Sequence, residues 1–317
     1  MTRPCVVLDC DPGLDDAIAI LVAARYTELV AITTVNGNVS LDKTTRNALV
    51  VTQIAGLDVP VHRGSAEPLV PHVLDASPVH GDTGLGDGIG IGIGIGIELT
   101  RKVASDDGVG YLVELVRERD DIHLVAVGPL TNVALAIRRD PTFATRLRSL
   151  TIMGGSAAGG NVTAAAEFNI YVDPEAAAIV FGCGIVVRTI PLDLTHQVIA
   201  RAEHIGQLRA AATPTASFVA DLLAHYDRIA PSARVPALGA LHDPCAVLAV
   251  TNPELFGLRP RLVDIELDGR HTRGMTVVDA RPSVEPHRQN ARFAYSVDAA
   301  RVLRMIIDAS IDPRATT

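Results

Sequence analysis

The sequence predicts an α/β fold with a Rossmann-like, mostly parallel sheet flanked by helices. Short apolar runs rich in strand-forming residues alternate with Ala-rich runs of helical periodicity. Glycine-containing turns follow several of the strand-like runs. Because this alternation is typical of βαβ units, we expect parallel strands whose carboxyl ends share one edge of the sheet, the edge where such sheets bind ligands.

The first half of the chain supplies the elements of this sheet in order. The predicted strands are 5–9, 29–35, 122–127, 149–153 and 185–190, and the predicted helices are 15–25, 41–55, 130–139 and 174–182, the last opened by Asp173-Pro174. Polar or glycine turns follow four of the strands, at Asp11-Pro12-Gly13, Asn36-Gly37-Asn38, Gly128-Pro129 and Met153-Gly154-Gly155. These turns should therefore converge on one rim.

The second half of the chain predicts further helices and a small antiparallel annex near the C-terminus. The helices are expected at 201–211, at 215–227, after His242-Asp243-Pro244-Cys245 and at 298–309, and the annex strands at 261–267 and 274–279. We detect no linker-like change of composition, so a single domain over 1–317 is expected.

A long segment at about 64–105 interrupts the alternation. It contains His80-Gly81-Asp82-Thr83-Gly84 and five Gly-Ile pairs between 88 and 97. Loops of this length are usually functional or disordered, and glycine at every second position specifies strand register weakly. We interpret the segment as a flap loop. The alternative interpretation of the Gly-Ile repeat is a spacer without a function of its own. His80 is a candidate substrate contact, with a solvated loop histidine as the alternative.

Composition limits the class of partner. Apolar residues make up 48% of the chain, aromatic residues 3%, and tryptophan is absent, so the core is expected to be aliphatic. The formal net charge is -8 and there is no basic run. Because nucleic-acid affinity rests on clustered Lys and Arg, these features argue against a nucleic-acid partner and favour a small molecule.

Three features favour a cytoplasmic protein without membrane association. Apolar stretches such as 176–187 are too short to span a bilayer, and residues 1–4 lead directly into the first strand, which leaves no room for a signal peptide. The four cysteines are far apart and form no C-x-x-C pair, which is typical of reduced thiols; they are Cys5, Cys10, Cys183 and Cys245.

The stretch from Asp9 to Asp16 is the most informative part of the chain, because it places four carboxylates within eight positions. Two carboxylates about 4 Å apart repel by about 4 kcal/mol at an effective dielectric constant of about 20. A helix N-terminus explains one or two acidic residues but not four. A bound cation is the simplest compensation, so the cluster predicts a metal site.

Further polar groups stand out along the chain. Asn38, the Glu167-Phe168-Asn169 run with Asn161, and His242-Asp243 offer oxygen and amide groups. Carboxylate and carbonyl oxygens are the ligands that calcium and magnesium prefer, and mixed amide and acid side chains suit a polyhydroxylated ligand such as a sugar.

These motifs together resemble the nucleoside hydrolases of the inosine-uridine-preferring type over essentially the whole chain. The motifs that carry the resemblance occur in the family's order: Asp9-Cys10-Asp11-Pro12-Gly13-x-Asp15-Asp16, Gly37-Asn38, Gly128-x-Leu130-Thr131-Asn132, Met153-Gly154-Gly155, Ala166-Glu167-Phe168-Asn169, Asp173-Pro174-Glu175-Ala176 and His242-Asp243-Pro244. The resemblance implies hydrolysis of the N-glycosidic bond of a ribonucleoside to ribose and free base.

The resemblance also implies a role for each site residue. It places a calcium ion on Asp11, Asp16, Asp243 and the backbone carbonyl of Val127, and it makes Asp15 the general base and His242 the acid for the leaving base. The ribose would be lined by Asn38, Met153, Asn161, Glu167 and Asn169. The remaining histidines, including His196, are expected to be structural. Relatives of this type are commonly dimers or tetramers, so a homodimer or homotetramer is expected.

One departure from the family bears on the choice of base. Members that accept purines often carry tyrosines near the base, where this chain has Ala230 and Val235. Stacking of a base on an aromatic ring contributes about 1 to 3 kcal/mol, so its loss costs tenfold or more in purine preference. Pyrimidine nucleosides, or a broad range of nucleosides, are therefore expected.

Two other classes of function explain part of the sequence. Asp9-x-Asp11 after a strand is similar to the start of haloacid-dehalogenase-type phosphatases, but that class leaves Asp15-Asp16 and His242-Asp243 unexplained. Release of phosphate from nitrophenyl phosphate with magnesium would identify it. A calcium-dependent nucleoside or ribose binding protein without turnover is the second alternative, and it would bind inosine or uridine without releasing ribose.

Overall fold

The strand β1 (Cys5–Cys10) lies at the centre of the fold, and its residues are buried from Val6 onward. The side chains of Val6 and Leu8 belong to one hydrophobic cluster and that of Val7 to a second. Because both faces of β1 are covered, its sequence from Cys5 to Leu8 is continuously apolar rather than alternating. The computed structural model describes residues 3–70, 81–86, 98–229 and 239–314.

Nine strands in these residues form one sheet. They are β1, β2 (Glu28–Thr34), β3 (Val61–Arg63), β4 (Ile122–Ala126), β5 (Ser149–Met153), β6 (Val187–Ile190), β7 (Phe256–Ile265), β8 (Thr276–Asp279) and β9 (Ala291–Val297). Their spatial order is β3-β2-β1-β4-β5-β6-β9-β7-β8. In this spatial order, every pair of neighbouring strands from β3 across to β9 is parallel. The strand β7 pairs antiparallel with both β9 and β8. The predicted mostly parallel sheet with an antiparallel annex is confirmed.

The strand order reverses at β1. The chain proceeds from β1 through β2 to β3 on one side, and then returns so that β4 pairs with the other side of β1. Ligands of open α/β sheets bind in the crevice that such a reversal leaves beyond the carboxyl ends of the strands. The acidic stretch that follows β1 therefore lies at the position where this topology favours a binding site.

Helices cover both faces of the sheet. They are α1 (Leu14–Tyr26), α2 (Leu41–Ile54), α3 (Gly108–Glu118), α4 (Thr131–Arg139), α5 (Phe143–Arg146), α6 (Phe168–Val172), α7 (Pro174–Phe181), α8 (Leu192–Thr195), α9 (Ala202–Ala211), α10 (Pro214–Ile229), α11 (Asp243–Thr251) and α12 (Ala299–Ile311). Side chains of α1, α2, α10, α11 and α12 pack into the first cluster, and those of α3, α4 and α7 into the second.

The helix α1 packs against α11, although more than 200 residues separate them in sequence. In α1, ten consecutive residues from Leu14 to Ala23 are buried, and in α11 the residues from Asp243 to Ala249 are buried. Burial of both helices on several faces fixes their relative position. Their N-termini carry acidic residues, so this packing determines how the acidic side chains meet.

Six elements were not expected from the sequence: the strands β3 and β9 and the helices α3, α5, α6 and α8. The strand β3 is only three residues long, α3 begins with two glycines in its first three positions, and β9 connects the annex to β6. The annex is therefore the continuation of the main sheet and not a separate layer. Its strand β7 also begins at Phe256, five residues before the predicted start.

The described parts of the long segment, 64–70, 81–86 and 98–105, contain no helix and no strand. The Gly-Ile repeat at 88–97 lies outside the described residues. All four cysteines are free thiols, as expected. Among the described residues, no helix combines the length and apolar character that crossing a membrane requires.

Candidate active site

The turn from β1 to α1 is held by Asp16. The N-cap of α1 is Gly13, which has no side chain to cap the first amides. Asp16, in the first turn, takes over this role: its Oδ2 accepts a hydrogen bond from the Gly13 amide at 3.0 Å, and its Oδ1 accepts one from the Asp11 amide at 3.1 Å. The helix N-terminus therefore positions Asp16 and the loop before it together.

Asn38 connects the end of β2 to the same loop. Its backbone amide donates to Asp11 Oδ2 at 2.7 Å, and its side-chain Nδ2 donates to the Asp11 carbonyl at 3.1 Å and to Asp16 Oδ2 at 3.0 Å. A Cβ atom at Gly37 or Gly128 would overlap the Asp11 carboxylate. Glycine at these two positions allows the loops after β2 and β4 to approach Asp11.

Asp243 reaches the cluster from the N-terminus of α11. One carboxylate oxygen each from Asp15, Asp16 and Asp243 lie within 4.8 Å of one another, and all three residues are buried. The backbone amide of His242 donates to Asp15 Oδ2 at 3.3 Å. Packing of α1 against α11 thus brings together carboxylates from the two ends of the chain.

The electrostatics of the cluster are those of buried like charges. Burial raises the pKa of Asp11 and of Asp243 well above the usual value, with further contributions from Asp16 and Asp15 respectively. The pKa of Asp16 rises to about 7, mainly because of burial and then because of Asp15. Several hydrogen bonds to the carboxylates act in the opposite direction but do not compensate the burial.

The donor set fits a hard divalent cation. Asp11 Oδ1 is buried and has no hydrogen-bond partner among the described residues, and an orphaned buried carboxylate oxygen is costly unless an ion contacts it. All the acidic groups of the cluster offer oxygen, with no cysteine or histidine in the closest group. Oxygen donors favour Ca²⁺ or Mg²⁺ over Zn²⁺.

Asn169 joins the carboxyl ends of β4 and β5. Its Nδ2 donates to the Val127 carbonyl at 2.7 Å and to the Met153 carbonyl at 3.1 Å. The Val127 carbonyl, implied as a metal ligand, therefore has one of its two lone pairs engaged by Asn169, and one remains. Met153 and Asn169 are both buried at this rim.

Glu167 is the N-cap of α6. Its carboxylate is 2% exposed and accepts hydrogen bonds from the backbone amides of Gly155 at 2.9 Å, Asn169 at 3.0 Å and Ile170 at 3.2 Å. Burial nevertheless raises its pKa to about 7. Asn161, in contrast, is exposed, and its Oδ1 accepts a hydrogen bond from the Phe168 amide at 2.9 Å.

His242 lies between the acidic cluster and α8. Its ring Nδ1 is 2.7 Å from the hydroxyl of Thr195, and the ring of His196 meets it edge-on with centroids 5.7 Å apart. Burial, and then the neighbouring His196, lower the pKa of His242 to about 3. The imidazole is therefore neutral at neutral pH, when one ring nitrogen carries a hydrogen and the other accepts.

A second polar network is built around Asp9 and Asn132. No role for this network was predicted from the sequence. Asp9 Oδ1 accepts hydrogen bonds from Thr33 Oγ1 at 2.5 Å and from Asn132 Nδ2 at 2.7 Å. Asn132 also donates to the Thr34 carbonyl at 3.1 Å and accepts from the Ser65 amide at 2.8 Å. Asp9 and Asn132 both belong to motifs that carry the family resemblance. Asp9 was predicted to be part of the metal site, but its Oδ1 is engaged by Thr33 and Asn132, and the closest carboxylate group consists of Asp15, Asp16 and Asp243.

The structure thus brings together Asp11, Asp15, Asp16, Asn38 and Asp243, with Val127, Met153 and Asn169 at the same rim. His80, Ala230 and Val235 lie outside the described residues. Their expected parts in substrate binding stay predictions.

The fold and the site together define an α/β protein with an acidic crevice at the point where the strand order of its sheet reverses. The carboxylates of this crevice could bind a cation. The family model for "Inosine-uridine preferring nucleoside hydrolase" matches residues 6–304. The chain belongs to this family, and it is a ribonucleoside hydrolase, an enzyme that acts on N-glycosyl bonds.

Individual relatives cover nearly the whole chain. An inosine-uridine preferring nucleoside hydrolase from Crithidia fasciculata is 40% identical, with 96% of each chain covered. A pyrimidine-specific ribonucleoside hydrolase from Shewanella woodyi is 39% identical and covers 96% of this chain and 97% of its own. The structure of a purine-preferring ribonucleoside hydrolase from Gardnerella vaginalis matches with a TM-score of 0.87, 30% identity and 98% of each chain covered.

The raised pKa of Glu167 predicts a pH-dependent effect of Glu167→Gln on stability. The pKa is about 7 in the folded protein against 4.5 for an ordinary glutamate, so Glu167 favours folding fully below about pH 4.5, and this contribution is lost as the pH rises through 7. Gln does not titrate. Between pH 5 and pH 8, the unfolding free energy of the variant relative to the parent should increase by about 2 to 3 kcal/mol, at about 1.4 kcal/mol per pKa unit. Urea titrations at the two pH values measure this.

Asp107→Asn is the matched control, because Asp107 is also an N-cap but is exposed and has a lowered pKa. Its effect on stability should be the same at pH 5 and pH 8. An equal effect of Glu167→Gln at both pH values would contradict the raised pKa.

Proposed function

We propose that this enzyme hydrolyses the N-glycosidic bond of ribonucleosides with a calcium ion held by Asp11, Asp16, Asp243 and the Val127 carbonyl. The observation that carries the proposal is the buried carboxylate cluster at the switch point, in which Asp11 Oδ1 has no hydrogen-bond partner among the described residues. When bound, the ion would bind the two vicinal hydroxyls of ribose and make water more acidic.

Asp15 is the proposed general base. It is 5% exposed, and its Oδ2 accepts a hydrogen bond from the His242 amide, which orients the carboxylate. In the proposed reaction, a water molecule attacks the anomeric carbon and gives up a proton to Asp15. The C1′–N bond breaks, its electron pair leaves with the base nitrogen, and the released proton reaches the base through solvent.

The remaining side chains have proposed roles on the two sides of the broken bond. Positive charge that grows on the ribose is stabilised by the acidic side chains around it. Asn38, Met153, Asn161, Glu167 and Asn169 are proposed to line the ribose, and His80 to reach the substrate. The resemblance makes His242 the acid for the leaving base. Because its imidazole is neutral, we propose that it acts by donating a ring N–H hydrogen bond to the base nitrogen, which stabilises the negative charge that develops there.

For the base, we propose a preference for pyrimidine nucleosides or a broad range. The supporting observations are the small and aliphatic residues Ala230 and Val235 in the sequence and the 39% identity to a pyrimidine-specific relative. Names of relatives alone do not decide this, because a purine-preferring structure is similar over 98% of the chain.

We further propose a single domain, a homodimer or homotetramer, and a cytoplasmic location. These proposals rest on the family resemblance and on the composition. The phosphatase and the non-catalytic binding protein are not favoured, because the family model extends over residues 6–304 and both Asp15 and His242 are present.

Removal of calcium should abolish ribose release, and its return should restore it, because the buried carboxylates lose the charge that compensates them. The measurement is a reducing-sugar assay on protein treated with a chelator and dialysed, before and after calcium is added. Thermal unfolding should shift upward with calcium in the parent and less in Asp11→Asn. Full activity of metal-free protein would refute the cofactor.

Asp15→Asn should lower kcat by about 10²- to 10⁴-fold, because the amide cannot accept the proton of the attacking water. Calcium binding, measured by titration calorimetry, should be retained, since the proposed ligands Asp11, Asp16 and Asp243 are unchanged. Asp42→Asn is the control, since Asp42 lies in the first turn of α2 but is exposed. Near-normal turnover by Asp15→Asn would remove Asp15 from the role of base.

A panel of nucleosides tests the proposed base preference. Ribose release in calcium buffer should be faster with uridine or cytidine than with inosine, adenosine or guanosine, by about tenfold or more. Deoxyuridine, which lacks the 2′-hydroxyl, should react much more slowly than uridine. Inosine ahead of uridine would show that another group replaces the missing aromatic residues, and no release from any nucleoside would favour the binding-protein alternative.

A further inference from the structure

We propose that Thr195 is a positioning residue for the reaction, whose hydroxyl holds the imidazole of His242 in the tautomer that carries its hydrogen on Nε2. This proposal rests on the proposed role of His242 as hydrogen donor to the leaving base. It adds a residue that neither the sequence motifs nor the family resemblance pointed to.

Thr195 is held rigidly. It is the last residue of α8 and is completely buried, and its own amide donates to the Pro191 carbonyl at 3.1 Å. The helix is attached to the rim of the sheet, because the Leu192 amide donates to the Gly155 carbonyl after β5 at 3.0 Å. Because the side chain of Thr195 is completely buried on this attached segment, close packing gives its hydroxyl a defined position.

The direction of the hydrogen bond between Thr195 and His242 follows from the burial of Thr195. The hydroxyl lies 2.7 Å from His242 Nδ1, and within the described residues this is its one hydrogen bond. If Nδ1 carried the hydrogen, the hydroxyl would accept it and its own hydrogen would be left buried without an acceptor. The hydroxyl therefore donates, Nδ1 accepts, and in the neutral ring the hydrogen is on Nε2.

The tautomer matters because the two ring nitrogens then have opposite roles. With the hydrogen on Nε2, the nitrogen that does not face Thr195 is a donor and can stabilise negative charge on the departing base nitrogen. With the hydrogen on Nδ1, a lone pair would occupy that position and repel the same charge. His242 is also oriented through its backbone, which donates to Asp15 Oδ2, so one residue connects the proposed base to the proposed donor.

The test compares two substrates that differ in their need for a donor. The uracil released from uridine is a poor leaving group as an anion, whereas the nitrophenolate released from 4-nitrophenyl riboside is stable without a donor. We expect His242→Ala to lower kcat for uridine by about 10²-fold and for the nitrophenyl riboside by about threefold or less. Thr195→Val should lower kcat for uridine by about tenfold with little effect on the nitrophenyl riboside, and Thr195→Ser should restore uridine turnover to within about twofold.

Thr189→Val is the matched control. Thr189 is likewise completely buried, but its hydroxyl has no hydrogen-bond partner among the described residues, so its loss should leave the ratio between the two substrates unchanged. Retained turnover of the nitrophenyl riboside shows that each variant is folded and binds ribose. The double variant Thr195→Val with His242→Ala should lose no more than His242→Ala alone, since Thr195 acts through His242.

The imidazole tautomer has its own readout. In ¹⁵N-histidine-labelled protein, the ring nitrogens assigned to His242 by difference with His242→Gln should show the Nε2–H form in the parent and a mixture in Thr195→Val. Equal losses on both substrates in Thr195→Val, or an unchanged tautomer, would overturn the proposal for Thr195. Equal losses on both substrates in His242→Ala would instead overturn the role of His242, and with it the proposal for Thr195.

Discussion

Repulsion between the buried carboxylates at the carboxyl end of β1 is the constraint on which the rest of the structure depends. Asp11, Asp15, Asp16 and Asp243 are all at least 95% buried, and burial raises the pKa of three of them. A protein cannot hold such a group in its charged form without compensation. The backbone amides around the cluster supply part of it, and a cation would supply the remainder.

The architecture of the sheet and helices explains how the four buried carboxylates are kept close together. The reversal of strand order at β1 opens a crevice in which the loops after β2 and β4 lie beside the acidic turn. Two helix N-termini, those of α1 and α11, point into the same place and favour negative charge there. The tight aliphatic packing between α1 and α11 keeps these two ends together, so core stability and site geometry have the same origin.

Much of this arrangement could be predicted from the sequence. The alternation of strand and helix patterns predicted the parallel sheet, and acidic residues after the first strand predicted the cluster. What could not be predicted depends on contacts between segments that are distant in sequence. The pairing of β9 with β7 shifts register at Tyr295, which lies between the partners of Gly257 and Leu258, so the alternation of β9 is interrupted there. The helix α3 contains Gly108, which helix propensity disfavours but which lies against the Arg63 carbonyl, where a Cβ atom would come within 2.8 Å. The meeting of Asp243 with Asp16 is a tertiary contact that no local pattern encodes, and only the family resemblance pointed to it.

The hydrogen bonds of the cluster divide its carboxylate oxygens into two kinds. Asp16 is held by three donors, from Asp11, Gly13 and Asn38, and these fix its orientation before any ligand arrives. Asp11 has one oxygen bound to the Asn38 amide, while the other is buried without a hydrogen-bond partner among the described residues. A site that was merely a capped turn would have no reason to leave such an oxygen buried, because the cost is about 1 to 3 kcal/mol. An orphaned oxygen beside a fully oriented neighbour is what a preorganised cation site requires, since the ion then binds without rearrangement of its ligands.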